Sequence, residues 1–320
     1  MFRKTLFLTL LLALALAACG PASVPTERPV VADQIEVPTE AVSAIVLTDG
    51  LGREVRLDSL AQRVVSLAPS NTEILYAIGA GSQVVGRDEF SDYPGEAKAI
   101  DSVGGSMGEF NQEAIVALKP DLVLAAELNP PELVKALEGL GLTVYYLKNP
   151  KTLEEMYGNL EIVAKLTGHG TEAQALIDSL KVRVSAVDEK IATVTEKPVT
   201  YYELDATDVT KPWTAGPGTF VDQIIQRAGG QNVGAVLQGD WAQISTEQMV
   251  VSNPQVIVLG DAVYGVTFES VKARVGWDVM DAVKNDRIYT FDDNLTSRPG
   301  PRLVDALEQM AKLLHPELFK

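Results

Sequence analysis

Two glutamates occupy the same place in two similar stretches of the chain. Glu113 follows the helix-capping residue Asn111, and Glu247 follows the capping residue Ser245. Each stretch then runs through a short helical pattern to a proline, which stops the helix, and into an apolar strand-like segment. A first-turn carboxylate is favoured by the helix dipole alone, so one such glutamate would be only a capping residue. Because the arrangement occurs twice, it indicates two similar lobes, each presenting one carboxylate at a comparable place.

Catalytic chemistry is not supported by any comparable pattern. Side chains that could act in catalysis are present at Asp205, Asp208, Asp240, Asp261, Ser66 and Ser70. The sequence has no nucleophile motif, no phosphate-binding glycine loop and no metal-ligand spacing. The two histidines, His169 and His315, are far apart and are expected on the surface. We therefore predict that the chain is not an enzyme and has no metal and no cofactor.

The beginning of the chain predicts export. Arg3 and Lys4 precede an apolar run that is too short for a membrane span, so residues 1–18 are predicted to be a signal peptide. The run ends in Leu-Ala-Ala-Cys-Gly around Cys19, the only cysteine, which resembles the lipidation motif of bacterial lipoproteins. Cys19 is the predicted lipidation site, and the alternative is an ordinary secreted protein with a chance cysteine.

Residues 19–43 and the overall charge narrow the class further. Residues 19–43 are rich in Pro, Ala, Thr, Ser, Val and Glu without periodicity, which predicts a lipidated, disordered tether. The net charge is −16, and loss of Arg3 and Lys4 with the signal peptide makes it −18. So acidic a chain is a poor candidate for binding nucleic acid. The predicted location is extracytoplasmic, lipid-anchored to the cell membrane, in the periplasm or on the outer face.

The remaining chain is long enough for two lobes of ordinary domain size. We predict an N-terminal α/β lobe at 44–151, connecting helices at 152–196 and a C-terminal α/β lobe at 197–320. Within the first lobe, the pattern predicts a turn at 69–71 followed by a helix at 72–78. Strands alternating with helices predict the α/β class, with two Rossmann-like lobes that contain parallel sheets and are bridged by a long rigid helix.

The chain resembles a known family, the class III substrate-binding proteins of ABC importers, which are receptors for cobalamin and ferric siderophores. The resemblance covers residues 44 to 320 in the family's order. The segments that carry it are 63–73, Ser91–Pro94, Leu118–Asp121, Ala228–Gly230, Ile244–Glu247, Ala282–Asn285 and Arg298–Arg302. The resemblance implies that Glu113 and Glu247 each pair with arginines of a permease dimer. The ligand is expected between the lobes. A monomer is expected, because nothing in the sequence argues for an oligomer.

The resemblance further indicates the residues that contact the ligand. Family pocket positions fall on Pro69, Tyr93, Trp213, Trp241 and Arg298, and Met107 and Phe110 occupy the loop before Glu113. Both tryptophans lie in loop-like sequence and not on a periodic apolar face, which favours a pocket role over core packing. Trp277 has the opposite context and is expected to be structural. Arg298 could instead cap a helix or pair with Asp292 or Asp293.

Three ligand classes are compatible with such a pocket to different degrees. A corrinoid suits the aromatic residues with one cation, and a ferric siderophore would place Arg298 against an anionic complex. Haem is disfavoured. Haem receptors of this family resemble one another in having an iron-ligating tyrosine in the loop before the first glutamate helix, and loop 103–110 of this chain contains no tyrosine. We predict a corrinoid, with a ferric siderophore as the alternative. The remaining alternatives are a lipoprotein sensor module and an enzyme.

Overall fold

The computed structural model describes residues 44–105 and 109–320. Of the predicted functional residues, Cys19 and Met107 lie outside these ranges. The N-terminal lobe contains β1 (Ile45–Thr48), β2 (Glu54–Leu57), β3 (Val64–Ser66), α1 (Pro69–Ala77), β4 (Val84–Arg87), α2 (Gln112–Ala117), β5 (Leu122–Ala126), α3 (Pro131–Gly139) and β6 (Val144–Leu147). Two connecting helices follow, α4 (Leu153–Thr167) and α5 (Gly170–Ile191). The C-terminal lobe contains β7 (Val199–Glu203), β8 (Trp213–Ala215), α6 (Phe220–Arg227), β9 (Gln231–Asn232), β10 (Trp241–Gln243), α7 (Thr246–Ser252), β11 (Val256–Leu259), α8 (Phe268–Lys272), α9 (Asp281–Lys284), β12 (Ile288–Thr290) and α10 (Leu303–Leu314).

The two lobes share one sheet topology. The N-terminal sheet has the order β4-β3-β5-β6, and the C-terminal sheet has the order β9-β7-β11-β12. All neighbours in both sheets are parallel. The central strands β5 and β11 are buried along their whole length, as expected for parallel strands covered on both faces. The predicted α/β class with two parallel sheets is confirmed.

The connecting helices are fixed to both lobes by packing. A continuous apolar core passes from Ile74 in α1 through Leu160 in α4 and Val184 in α5 to Leu307 in α10. Arg183 of α5 adds ion pairs to Asp305 and Glu308 of α10, at 2.5 and 2.6 Å. The predicted bridge consists of two helices. They are separated at Gly168, whose φ of 89° suits a left-handed helix cap. The predicted lobe boundaries stay predictions.

Local details correct two expectations. Helix α1 begins at Pro69, so the predicted turn at 69–71 is its first helical turn. A proline fits at the first helical position because the amide hydrogen that it lacks would make no hydrogen bond within the helix. His315 is buried, and its Nε2 lies 3.2 Å from the carbonyl oxygen of Gly229, so its predicted surface position is wrong. Trp277 is buried against Tyr201 in the C-terminal core, as its sequence context predicted.

Candidate functional site

Glu113 and Glu247 occupy equivalent places in the two lobes. Glu113 lies in the first turn of α2, directly before β5, and Glu247 lies in the first turn of α7, directly before β11. Since β5 and β11 are the equivalent strands of the two sheets, the duplication seen in the sequence is also a duplication of the fold. Both side chains are exposed to solvent.

Each glutamate is held at its helix end by a local cap. Asn111 Oδ1 accepts a hydrogen bond from the Ala114 amide at 2.9 Å. Ser245 Oγ accepts one from the Gln248 amide at 3.2 Å, and Gln248 Oε1 accepts one from the Ser245 amide at 3.1 Å. Hydrogen bonds from its own amide and from Ser245 lower the pKa of the Glu247 carboxyl below its ordinary value. Two fixed, exposed carboxylates are suited to orienting a partner with two equivalent halves.

A cleft between the lobes contains two adjoining cavities. The first, of about 280 Å³, is here called the Trp241 cavity and is also bordered by Phe220, Asn149 and Leu204. The second, of about 420 Å³, is called the Phe110 cavity and is also bordered by Asp88, Phe90 and Tyr264. Both cavities share Pro69 and Leu128 from the N-terminal lobe with Ser297 and Arg298 from the C-terminal lobe. The shared residues make the two cavities one continuous interlobe site.

Trp241 is positioned by a small ribbon that the sequence pattern did not reveal. Strands β8 and β10 pair antiparallel, with Trp241 opposite Ala215 and Gln243 opposite Trp213. The strands approach closely after β8, where a Cβ on Gly216 would lie 1.9 Å from the carbonyl oxygen of Gly239, so only glycine fits at position 216. Trp241 packs edge-on against Phe220, with ring centroids 5.7 Å apart. Trp241 remains 43% exposed and lines the Trp241 cavity.

An ion cluster joins the lobes beside this cleft. Glu73 of α1 accepts hydrogen bonds from Arg302 at 2.5 and 2.7 Å, and Arg298 lies 3.4 Å from the same carboxylate. Arg298 also donates to Asp92 at 2.6 Å, and the Arg302 guanidinium stacks over the Tyr93 ring at 4.0 Å. Glu73 is only 3% exposed. The two arginines and two carboxylates neutralise one another, so Arg298 reaches the cleft already paired. The sequence suggested pairing with Asp292 or Asp293. Arg298 instead pairs with Glu73 and Asp92.

The predicted ligand residues therefore divide into two groups. Pro69, Phe110, Trp241 and Arg298 line the cleft cavities. Trp213 shares the ribbon face with Trp241, and Tyr93 stacks on Arg302, but both lie outside the lining of these two cavities. Residues that the sequence reasoning missed include Phe220, Leu128 and Tyr264. Phe220 is the first residue of α6, after the helix cap Thr219, whose Oγ1 accepts a hydrogen bond from the Asp222 amide; the cap predicts where the helix begins but not that Phe220 lines the cleft.

A second set of buried charges lies at the carboxyl end of β7. Glu203 is fully buried and accepts hydrogen bonds from both terminal nitrogens of Arg274, at 2.5 and 2.7 Å. Asp261, 2% exposed, accepts a hydrogen bond from the Ala206 amide. Burial and the nearby Glu203 carboxylate raise the pKa of the Asp261 carboxyl to about 7.

This raised pKa predicts how stability depends on pH. Below the ordinary pKa of 3.8, Asp261 is protonated in both the folded and the unfolded state and contributes nothing. Between 3.8 and about 7 only the unfolded chain loses the proton, so stability falls as pH rises through this window. One pKa unit corresponds to about 1.4 kcal/mol. We expect Asp261→Asn to raise the free energy of unfolding by about 2–4 kcal/mol at pH 8 and by little at pH 4.

Urea unfolding at pH 4, 6 and 8 measures this difference. The matched control is Asp208→Asn, an exposed carboxylate in the same region, which should leave the free energy of unfolding close to native at each pH. An equal gain for Asp261→Asn at pH 4 and pH 8 would show that ionisation of Asp261 is not the cause.

The two-lobed fold of this chain is that of a known family. The family model described as "Periplasmic binding protein" matches residues 64–295 of this chain. The chain belongs to the periplasmic binding protein family. The prediction from the sequence, a substrate-binding protein of an ABC importer, is confirmed.

Relatives of this binding protein define its class. The ABC transporter substrate-binding lipoprotein YvrC of Bacillus subtilis (strain 168) is 33% identical over 314 residues, covering 97% of this chain and 96% of that protein. A vitamin B12-binding protein of Vibrio cholerae is 31% identical over 258 residues, covering 79% and 89% of the two chains. The periplasmic heme-binding protein RhuT from Roseiflexus sp. RS-1 has a TM-score of 0.72 and 26% identity, covering 81% of this chain and 99% of that one.

These findings establish a solute-binding component of an ABC transporter, and they confirm that the chain is not an enzyme. Over residues 44–105 and 109–320, no helix has the length and apolar character needed to cross a bilayer. Over the same residues, no group of three or more His, Cys, Asp and Glu side chains could hold a metal ion. The relatives' names include different ligands, so the fold does not specify the cargo.

Proposed function

We propose that this binding protein captures a corrinoid between its lobes and delivers it to the permease of an ABC importer. The observation that carries the choice of ligand is the pairing of Arg298. Its guanidinium reaches the cleft but already contacts the carboxylates of Asp92 and Glu73, at 2.6 and 3.4 Å. An anionic ferric siderophore would have to compete with both. A corrinoid with uncharged amide side chains would not.

The rest of the lining supports the same ligand class. Trp241, Phe220 and Phe110 supply aromatic surface, and Pro69 and Leu128 supply aliphatic surface. Large ligands with an apolar face are bound by such surfaces, while a few polar groups fix their orientation. Among the described residues, the other charged side chains that line the Phe110 cavity, Asp88 and Asp293, are acidic, so this lining has no excess of positive charge for an anion. The vitamin B12-binding relatives add support.

The proposal includes the docking and anchoring steps. Glu113 and Glu247 would pair with basic residues on the two halves of a permease dimer, and Cys19 would carry the lipid that holds the protein at the membrane. The relative named as a lipoprotein supports the anchor. The predicted monomer would present each glutamate once, which matches a permease with two equivalent subunits.

Calorimetric titration of the soluble chain with cyanocobalamin tests the cargo. We expect saturable binding that Trp241→Ala weakens by roughly 10–100-fold, since a central aromatic residue of a binding site contributes about 1.4–2.8 kcal/mol. The matched control is Trp213→Ala. Trp213 has similar exposure and lies on the same ribbon face, but it borders neither cleft cavity, so the affinity should stay within about threefold.

Two outcomes would contradict the proposal in different ways. If cyanocobalamin does not bind but a ferric siderophore binds in a Trp241-dependent manner, the transport role stands and the corrinoid cargo is wrong. If Trp213→Ala and Trp241→Ala weaken cyanocobalamin binding equally, the ligand does not occupy the Trp241 cavity.

A further inference from the structure

A continuous line of hydroxyl groups runs through the N-terminal lobe beside the cleft. It leads from the carbonyl oxygen of Ala68 through Ser66, Thr72 and Ser91 to the carboxyl group of Asp88. Ser66 Oγ lies 3.0 Å from the Ala68 oxygen, and Thr72 Oγ1 lies 2.8 Å from Ser66 Oγ and 2.7 Å from Ser91 Oγ. Ser91 Oγ contacts Asp88 Oδ2 directly. These four side chains, here called the Asp88 network, are at most 2% exposed, so their polar atoms must satisfy one another.

The Asp88 network needs one hydrogen more than its hydroxyl groups supply. It contains four oxygen–oxygen contacts, and each contact needs one hydrogen between its two oxygens. The three hydroxyl groups supply three hydrogens, whereas a carbonyl oxygen and an ionised carboxylate supply none. If Asp88 is ionised, one contact holds two oxygens at hydrogen-bonding distance with no hydrogen between them. If Asp88 is protonated, every group donates to the next one along the line, and all four contacts are complete.

The electrostatic surroundings of Asp88 agree with this count. Burial raises the pKa of the Asp88 carboxyl, and hydrogen bonds from Ser91 and the Phe90 amide lower it by less. The positive charges of Arg87 and Arg298 also lower it, but Arg298 already pairs with two other carboxylates. The net result is a pKa above the ordinary value of 3.8. The charged side chains on the elements around Asp88 are Glu73 on α1, Arg87, Glu89 and Asp92 on its own segment, Glu109 on the following loop, and Asp293 and Arg298 from the C-terminal lobe.

We propose that Asp88 is a protonated carboxylic acid in the folded protein and that loss of its proton is a pH-sensitive switch in the wall of the cleft. The network ties β3 and α1 to the segment that follows β4. This segment places Phe90 in the Phe110 cavity and Asp92 at 2.6 Å from Arg298. When the pH rises and the proton is lost, one contact opens and the segment is held less tightly. The switch acts on the cleft wall whatever the cargo is, so it does not depend on the corrinoid proposal.

Carbon NMR of the protein with isotope-labelled aspartate carboxyl groups measures the titration of Asp88, and the variant Asp88→Asn identifies its signal. We expect a titration midpoint above 3.8. Ser66→Ala should lower this midpoint by about one pH unit, because two hydroxyl groups then serve the two remaining contacts without a proton from Asp88. Thr72→Val also leaves two hydroxyl groups and two contacts, so it should act in the same direction. Burial alone predicts no such fall. The control is Ser70→Ala, which removes a buried hydroxyl of the same helical turn outside the network and should leave the midpoint unchanged.

Amide hydrogen exchange measures how tightly the segment after β4 is held. The Ser91 amide donates to the carbonyl oxygen of Asp88 at 3.3 Å. After correction for the intrinsic pH dependence of exchange, its protection should fall roughly fivefold to tenfold as Asp88 loses its proton, which corresponds to one hydrogen bond. In Asp88→Asn the side-chain nitrogen can donate to Ser91 at every pH, and the side-chain oxygen can still accept from the Phe90 amide, which contacts Asp88 Oδ1 at 2.9 Å. Protection in this variant should therefore stay constant.

Three results would overturn the proposal. A native midpoint at or below 3.8 means that Asp88 is ionised in the folded protein. A raised midpoint that Ser66→Ala and Thr72→Val leave unchanged, or raise further, attributes the proton to burial and refutes the hydrogen count. Protection of the Ser91 amide that does not change with pH, or that falls equally in Asp88→Asn, shows that the proton does not hold the segment. Thermal unfolding of each variant verifies that it is folded.

Discussion

Replacing both Glu113 and Glu247 by alanine should strongly reduce uptake and leave ligand binding intact. The two side chains are exposed, lie in equivalent first turns and border neither cleft cavity. Each exposed ion pair with a permease would contribute only about 0–1 kcal/mol, so the role proposed for the two glutamates is to orient a transient complex more than to hold it. We expect uptake to fall by roughly 10–30-fold in the double variant, since two such pairs together contribute at most about 2 kcal/mol, with calorimetric affinity for cyanocobalamin within about twofold of native.

The chain offers a matched control for this experiment. Glu132 lies in the first turn of α3 and Glu269 in the first turn of α8, both are exposed, and one lies in each lobe. A Glu132→Ala/Glu269→Ala variant removes the same two charges from the same kind of helix position, but not from the repeated one. Loss of a first-turn carboxylate costs about 0.3–1 kcal/mol, so both double variants should fold. Uptake that persists in the first variant, or fails equally in the control, would exclude the docking role.

Replacing Glu73 by alanine should destabilise the folded protein by about 3–5 kcal/mol, because it leaves two nearly buried arginines without their shared carboxylate. Arg302 and Arg298 have side chains only 14% and 12% exposed, and Glu73 is the carboxylate of the N-terminal lobe that both of them contact. For a chain of this size the loss corresponds to a fall in Tm of roughly 10 °C. Urea unfolding and differential scanning calorimetry at pH 7 measure it.

Asp92 provides the comparison for Glu73. It pairs with the same Arg298 but its side chain is 52% exposed, so Asp92→Ala should cost about 1 kcal/mol or less. Adding Arg302→Met to Glu73→Ala should recover part of the lost stability, since removal of the unpaired charge removes its desolvation cost. If Glu73→Ala costs no more than Asp92→Ala, the cluster is a surface feature and does not hold the lobes together.

Local sequence determined the secondary structure that repeats. The apolar segments predicted after the two prolines are the strands Leu122–Ala126 and Val256–Leu259, and Asn111 and Ser245 cap the helices that precede them. These features were predictable because a cap, a helix-stopping proline and a buried strand each depend on neighbours within a few residues. The duplicated glutamates followed from the same local signals, and with them the presence of two lobes.

Tertiary structure decided which side chains meet. Arg298 has acidic neighbours at Asp292 and Asp293, yet it pairs with Glu73, which is 225 residues away along the chain. Strands β8 and β10 contain three residues each, too few to show a period, and they form only because the lobe brings them together. The environment of Asp261 likewise depends on Glu203 and Arg274 from other elements. The sequence by itself determined the lobes and the family; burial and long-range charge pairing, which depend on distance in space, determined the charge and lining of the cleft.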